Sequence, residues 1–157
     1  MPAQQSHLDL YVSPLGRDSW SGRLADANAD DTDGPFATMI KARDTIRELK
    51  RATKLPASVT VWLRGGRYVL KEPLTFTHAD SAPVTYAAFP GETPVLDGGT
   101  RITGWTKESL NGKEVWVTTI PEVADGKWYF RQLFVNGARR NRPRLPKKGF
   151  YRVADYE

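Results

Sequence analysis

Asp80, Glu92, Asp97, Glu108 and Glu114 are the side chains best suited by type to acid–base work in the interior of this chain. Two carboxyl groups roughly 5–10 Å apart across a cleft would split a glycosidic bond. Spacing pairs none of the five. Asp80 and Glu92 fall in turn-rich stretches, Asp97 closes a short apolar run before Gly98-Gly99, and turn or strand-edge roles account for each of them. No residue is therefore assigned a catalytic role. His7 and His78 stand apart in sequence, so neither a metal cluster nor a Ser-His-Asp arrangement is assembled from spacing. The chain contains no cysteine, which removes thiolate metal sites, disulfides and a thiol nucleophile. Arg64-Gly65-Gly66-Arg67 stays inside β structure and opens no helix, so it is not a phosphate cradle.

Three softer candidates remain. The loop from Asp26 to Asp33 places oxygen ligands at alternate positions and invites calcium, yet Asp31 stands where an EF-hand loop needs its glycine and Ala37 where it needs its bidentate glutamate. A solvated loop is the default reading, and a looser oxygen-ligated calcium site the alternative. Trp105, Trp116, Trp128, Tyr129 and Phe130 are the aromatic supply of the second half. Packing as the core of a hairpin domain is their first reading, and stacking on a sugar the second. Alternation sets Trp128 and Phe130 on one face and Tyr129 on the other. Arg139, Arg142 and Arg144 are suited to bidentate contact with an acidic sugar, or to anchoring one domain on another. The candidate substrate-binding set is thus Trp128, Arg139, Arg142 and Arg144, with no metal ligand assigned.

Charge is unevenly placed. The net charge is +5, but residues 1–38 hold two arginines against six aspartates and residues 131–157 hold eight basic side chains against two acidic ones. A basic tail of this kind suits a polyanion. Pro143 and Pro146 interrupt it, so it forms no basic helix for a major groove, and basic and aromatic residues do not interleave as a strand-binding groove requires. Nucleic acid is the least favoured partner. No apolar run approaches the about 18 residues of a membrane span, and the opening MPAQQSHLDLYV has no basic region followed by an apolar one.

Periodicity assigns the secondary structure on which these residues sit. Leu8, Leu10 and Val12 alternate as a half-buried strand. Thr38 caps a helix running to Lys50 or Arg51, with Met39, Ala42, Ile46 and Leu49 on one apolar stripe. From Val59 to Gly99 the chain reads as two laps of one path. Val59–Leu63, Tyr68–Leu70 and Leu74–Phe76 are followed by Val84–Ala88 and Val95-Leu96, with Gly66 and Leu70 answered by Gly91 and Leu96. The offset is about 25 residues, within the range of stacked solenoid repeats. The first solenoid strand is expected at Val59, and the helix ahead of it covers what would otherwise be an open apolar end. After Gly99 the pattern predicts antiparallel strands at Ile102–Trp105, Val115–Val117, Trp128–Phe130 and Gln132–Val135, turned at Asn111-Gly112, Asp125-Gly126 and Asn136-Gly137. A last strand is expected from Phe150 to Glu157.

Five blocks carry a family resemblance: LYVSPLGRDSWSG, GPFATMIKARDTIRELK, VTVWLRGGRYVLKEPLTF, DSAPVTYAAFPGETPVLDGG with RITGW, and FRQLFVNGARRNRPRLP. In this order they resemble the N-terminal region of right-handed parallel β-helix proteins of bacteria, in particular glycoside hydrolases similar to family 141. The resemblance implies a mainly β fold: the start of a right-handed parallel β-helix with a capping α-helix over residues 1–99, then an inserted, β-sandwich-like antiparallel domain beginning at 100 and cut short at 157. It implies a polysaccharide-processing enzyme in the periplasm or outside the cell. The family's catalytic carboxylates belong to later coils, and no position here matches them. The expected partners are a polysaccharide or oligosaccharide and the downstream part of the same protein. The competing reading is a non-catalytic polysaccharide-binding or structural adhesive module.

Overall fold

The computed structural model describes residues 7–141, 146 and 148–151. The expected strand over 150–157 falls largely outside the described residues. The chain divides into two compact units, Met1–Thr100 and Arg101–Glu157.

The first unit runs β1 (His7–Val12), α1 (Met39–Arg51), β2 (Ser58–Leu63), β3 (Gly66–Val69), β4 (Val84–Ala88) and β5 (Pro94–Asp97). All its strand pairings are parallel. One sheet has the order β1-β2-β4, and a second pairs β3 with β5. The period-2 alternation of β1 and β2 turns Leu8, Leu10, Val12, Val59, Val61 and Leu63 to one side, where they form the core. Val84 and Tyr86 of β4 pack against that core, half-buried.

The sheet therefore begins one strand earlier than the two-lap pattern places it. Leu8 is paired with Val59 and Val12 with Leu63, an offset of 51 residues. That is about twice the short lap, because a long loop and α1 intervene. Between β2 and β4 the offset is 25, Val59 opposing Val84. Between β3 and β5 it grows to 28, so Gly66 opposes Pro94 rather than Gly91, and Tyr68 rather than Leu70 opposes Leu96. Leu74–Phe76, expected as a strand, is irregular chain. Its Thr75 carbonyl accepts from Arg43 Nη1 at 2.9 Å, and Phe76 packs edge-on against Tyr86 with ring centroids 5.4 Å apart.

Helix α1 starts where its cap predicts. Thr38 Oγ1 accepts from Lys41 N at 3.1 Å, while the Asp18 carboxylate accepts from Ala37 N, Thr38 N and Thr38 Oγ1 at 2.8–2.9 Å. Met39, Ala42 and Ile46 enter the core beside Phe36 and β1, and Leu49 packs partly against it. The helix thus covers β1, an outer strand of its sheet. The backbone edge of β1 is also occupied: Tyr11 N donates to Gly22 O and Phe36 N to Tyr11 O, at 2.8 and 2.9 Å. Gly22 holds φ +69 with its Cα against the Phe36 ring, where a Cβ would lie 2.3 Å from a ring carbon. Only glycine meets both demands. Tyr68, buried, donates to the Val12 and Arg64 carbonyls at 2.8 and 2.7 Å.

The second unit contains β6 (Thr106–Leu110), β7 (Lys113–Val117), α2 (Pro121–Ala124), β8 (Leu133–Val135) and β9 (Ala138–Arg140). β6 and β7 pair across Asn111-Gly112, and β8 and β9 across Asn136-Gly137. Both asparagine–glycine pairs have positive φ at each residue, as two-residue hairpin turns of opposite hand to the common types require. Two expectations fail here. Asp125-Gly126 ends the short helix α2, its N–H groups turning back to Pro121 and Val123 carbonyls, because Pro121 at the first turn favours helix over strand. Ile102–Trp105 and Trp128–Phe130 are not strands. No described residue beyond 100 is buried, so the aromatic residues do not form a core among the described residues. Trp116 is 61% and Tyr129 66% exposed. Among the described residues no helix is long and apolar enough to cross a membrane.

Candidate functional site

Four of the five candidate carboxylates are held by cations. Asp80 receives Arg47 through Nε and Nη2, both at 2.6 Å, and accepts from Thr77 N at 2.6 Å in a capping box. The Arg47 hydrogen bond is the largest influence and holds its carboxyl below the usual range, against the upward push of lost hydration. Asp97 pairs with Arg67 and accepts from Gly99 N at 2.9 Å, the latter being the larger cause of its depressed pKa. Glu114 pairs with Lys107 at 2.8 Å across the β6–β7 ladder. Glu108 opposes Val115 on the same hairpin.

Glu92 and Asp26 share Arg64. The Arg64 Nε lies 2.9 and 3.0 Å from the two Glu92 oxygens, Nη2 lies 2.8 Å from Oε1, and Nη1 reaches Asp26 Oδ1 at 2.7 Å and the Ala25 carbonyl. The extra length between β4 and β5, Phe89 to Thr93, makes this possible. Glu92 N turns back to Phe89 O at 2.9 Å, and the side chain folds onto Arg64 and Gly65 N. Arg64 then lowers the Glu92 pKa, and Glu92 raises that of Arg64. Arg64 also lies over the Phe89 ring at 4.7 Å.

His7 is not isolated in space. Its Nδ1 lies 2.8 Å from Ser58 Oγ and its Nε2 3.1 Å from Asp9 Oδ1, which also accepts from Trp62 Nε1 at 2.8 Å. This is the hydrogen-bond order of a Ser-His-Asp relay. However, β2 is the central strand, so its backbone N–H groups serve the sheet and are not free to hold an oxyanion. The trio is an outward-facing strut tying β1 to β2. The only sequence signal for it is the 51-residue register, hidden by the intervening helix.

Trp128 is half-buried and stacks on Phe130 with centroids 5.0 Å apart, while Tyr129 is exposed with Arg131 over its ring at 5.9 Å. Arg139 is exposed on β9, opposite Phe134. Trp128 and Arg139 are thus described separately, and Arg142 and Arg144 lie outside the described residues. In the acidic loop, Asp33 accepts from Ser21 N, Ser21 Oγ and Gly34 N at 2.7–2.8 Å. These bonds, the Ser21 ones foremost, depress its pKa. Asp31 pairs with Arg17, Asp26 with Arg64, and Asn28 Oδ1 accepts from Thr32 N and Asp33 N. The loop's oxygens face separate donors. Among the described residues no group of three His, Cys, Asp or Glu side chains is placed to hold a metal ion.

With this geometry in view, comparison with solved structures gives a direct finding. The chain is similar to part of a glycoside hydrolase. The likeness covers 90% of this chain at 28% identity with a TM-score of 0.66, and this chain spans 22% of the length of that glycoside hydrolase. No family model matches the sequence, and no curated protein matches it. The relation is to glycoside hydrolases at a coarse level, and the fold they share here is mainly β.

Proposed function

We propose that this chain is the N-terminal part of a carbohydrate-active enzyme, a glycoside hydrolase acting on plant or microbial polysaccharide, and that it forms the opening turns of a right-handed parallel β-helix. In this reading α1 caps the first turn, and residues 101–157 begin an inserted antiparallel domain. The observation that carries it is the pair of parallel sheets, β1-β2-β4 and β3-β5, with successive strands 25 and 28 residues apart. A strand path that returns to two faces in turn with short offsets is the local geometry of a solenoid coil. The likeness to a much longer glycoside hydrolase supports the same reading.

The catalytic carboxylates belong, in this proposal, to downstream coils. Asp80, Glu92, Asp97 and Glu114 are each engaged by an arginine or lysine, which suits struts better than an acid and a nucleophile facing a shared substrate. The family 141 resemblance and a periplasmic or extracellular site of action belong to the same proposal. A second reading, a non-catalytic polysaccharide-binding or adhesive module, draws on the exposed Trp116 and Tyr129.

The test is to sequence the coding region past Glu157 and assay the product for release of reducing sugar from a polysaccharide panel. Further coils bearing paired Asp or Glu, with hydrolysis by the product and none by residues 1–157 alone, are expected. A coding region that ends at Glu157, with glycan binding and no hydrolysis, would transfer the conclusion to the binding module.

A further inference from the structure

The first unit contains a cleft of about 550 Å³ between the Ser13–Leu15 turn, the loop that carries Trp20 and Asp26, and the β2–β3 corner at Arg64–Gly66, with Glu92 closing one side. That volume falls within the roughly 300–1,000 Å³ of small-ligand sites. Its walls are of two kinds. Pro14, Leu15 and Trp20 supply apolar surface, and Leu15 is 89% exposed, a large aliphatic side chain with no core to join. Asp26, Arg64 and Glu92 supply the polar part of the lining.

The polar side is fixed before any ligand arrives. Arg64 gives its donors to Glu92, Asp26 and the Ala25 carbonyl, so it orients the two carboxylates and has little left to offer a guest. The Glu92 oxygens are taken up by Arg64 and by Gly65 N, whereas Asp26 gives Arg64 one oxygen and keeps most of the roughly four hydrogen bonds a carboxylate accepts. The Asp26 side chain is 80% exposed. One guanidinium between two carboxylates leaves the site with a net charge of about −1. The floor is shaped by missing side chains. Gly66, at φ +127, would bring a Cβ within 2.9 Å of Pro14, and Gly65 would bring one within 3.3 Å of Glu92. The absent Cβ atoms let the proline and the glutamate close on the corner.

A ligand for such a cleft must donate hydrogen bonds, present an apolar face and carry no negative charge. A pyranose ring does this, with hydroxyl donors at its rim and C–H groups across its face. We propose that this cleft binds one uncharged or amino-bearing pyranose unit of a polysaccharide, its hydroxyls donating to Asp26 and its C–H face resting on Leu15 and Pro14, with Glu92 contributing negative charge at the rim. Uronate rings are excluded by the negative charge. The inference rests on the carbohydrate-active reading and names a substrate class for it.

The test is an amide chemical-shift titration of the whole 157-residue chain with xylo-, cello- and chito-oligosaccharides, and with oligogalacturonate as the acidic counterpart. Shifts are expected at Leu15, Trp20, Asp26 and Gly65 with the first three probes and not with the fourth. Asp26→Asn is expected to weaken binding about tenfold through loss of a charge-assisted acceptor, and Leu15→Ala about threefold. Both side chains are exposed, so the circular dichroism spectrum and melting temperature of each variant are expected to match the parent. Binding of neutral oligosaccharides with unchanged Kd in both variants, or shifts confined to residues after 100, would overturn the cleft and leave the carbohydrate reading standing. Tighter binding of oligogalacturonate would overturn the charge argument. No binding by any probe would also overturn the inference, while hydrolysis by the longer gene product tests the enzymatic reading separately.

Discussion

Ile46→Ala separates a docked α1 from one held only by its own propensity, because the two cases predict opposite signs. Ile46 is 4% exposed and packs in the cluster that contains Leu10, Val12, Val59 and Val61. The substitution removes three buried carbons. At ~0.8 kcal/mol each, transfer alone contributes about 2.4 kcal/mol, and a cavity that collapses only in part raises the loss to about 3–4 kcal/mol. Alanine returns a few tenths of a kcal/mol through its higher helix propensity. The net expectation is a loss of about 3 kcal/mol. For a unit of this size that lowers the melting temperature by roughly 10–20 °C, a large share of the ~5–15 kcal/mol that holds a domain together. Urea unfolding, followed in parallel by far-UV circular dichroism for the helix and by tryptophan fluorescence for Trp20 and Trp62, measures it. The transition midpoint should fall with little change in slope. If α1 were not packed on β1 and β2, Ile46→Ala would raise the midpoint slightly, since only the propensity gain would remain. A neutral or stabilising result refutes the packing argument.

Other expectations follow from the same contacts. Gly22→Ala should cost several kcal/mol, because it combines positive φ with a clash against the Phe36 ring, whereas Gly112→Ala, with open space at its Cβ, should cost only about 1 kcal/mol; thermal melts of the two variants give the comparison. Asp80, Asp97 and Glu92 all have pKa values below their ordinary 3.8, 3.8 and 4.5. Their contribution to stability is therefore complete above about pH 5 and lost as pH falls from about 4 through the depressed values. Melting temperature against pH should show that acid limb, and Asp80→Asn should flatten it. Burial pushes the Tyr68 and Tyr86 phenols up to about 12 from 10.0. Two tyrosines should thus ionise late in an ultraviolet titration, and the stability they confer should decline as pH rises from about 10 toward 12. Tyr68→Phe should remove one of these late phenols and cost about 1–2 kcal/mol, since the Val12 and Arg64 carbonyls lose their shared donor.

Wherever one local rule decided the outcome, the sequence was sufficient. Thr38 with its downstream stripe of Met39, Ala42 and Ile46 specified α1, since a cap and a 3.6-residue period are properties of a single segment. Asn111-Gly112 and Asn136-Gly137 specified their hairpins, because both residues of such a turn need positive φ. Asp125-Gly126 looked alike and ended a helix, since Pro121 upstream competed for the same chain. The β2–β4 offset was legible because both strands share an alternation and a short connection.

Tertiary structure decided what depended on register between distant segments. β1 joined the sheet across 51 residues, which placed Ser58, His7 and Asp9 side by side on the outward face and gave α1 the strand that it covers. The three additional residues of the β4–β5 connection, compared with β2–β3, brought Glu92 onto Arg64 and, with Asp26, made one side of the cleft. Of the candidates named from type alone, four of the five carboxylates proved to be arginine- or lysine-bound, because a lone acidic residue in a sequence carries no record of which cation the fold will set beside it. Periodicity is written into neighbouring residues, whereas an ion pair between residues 26, 64 and 92 exists only once the chain has returned on itself.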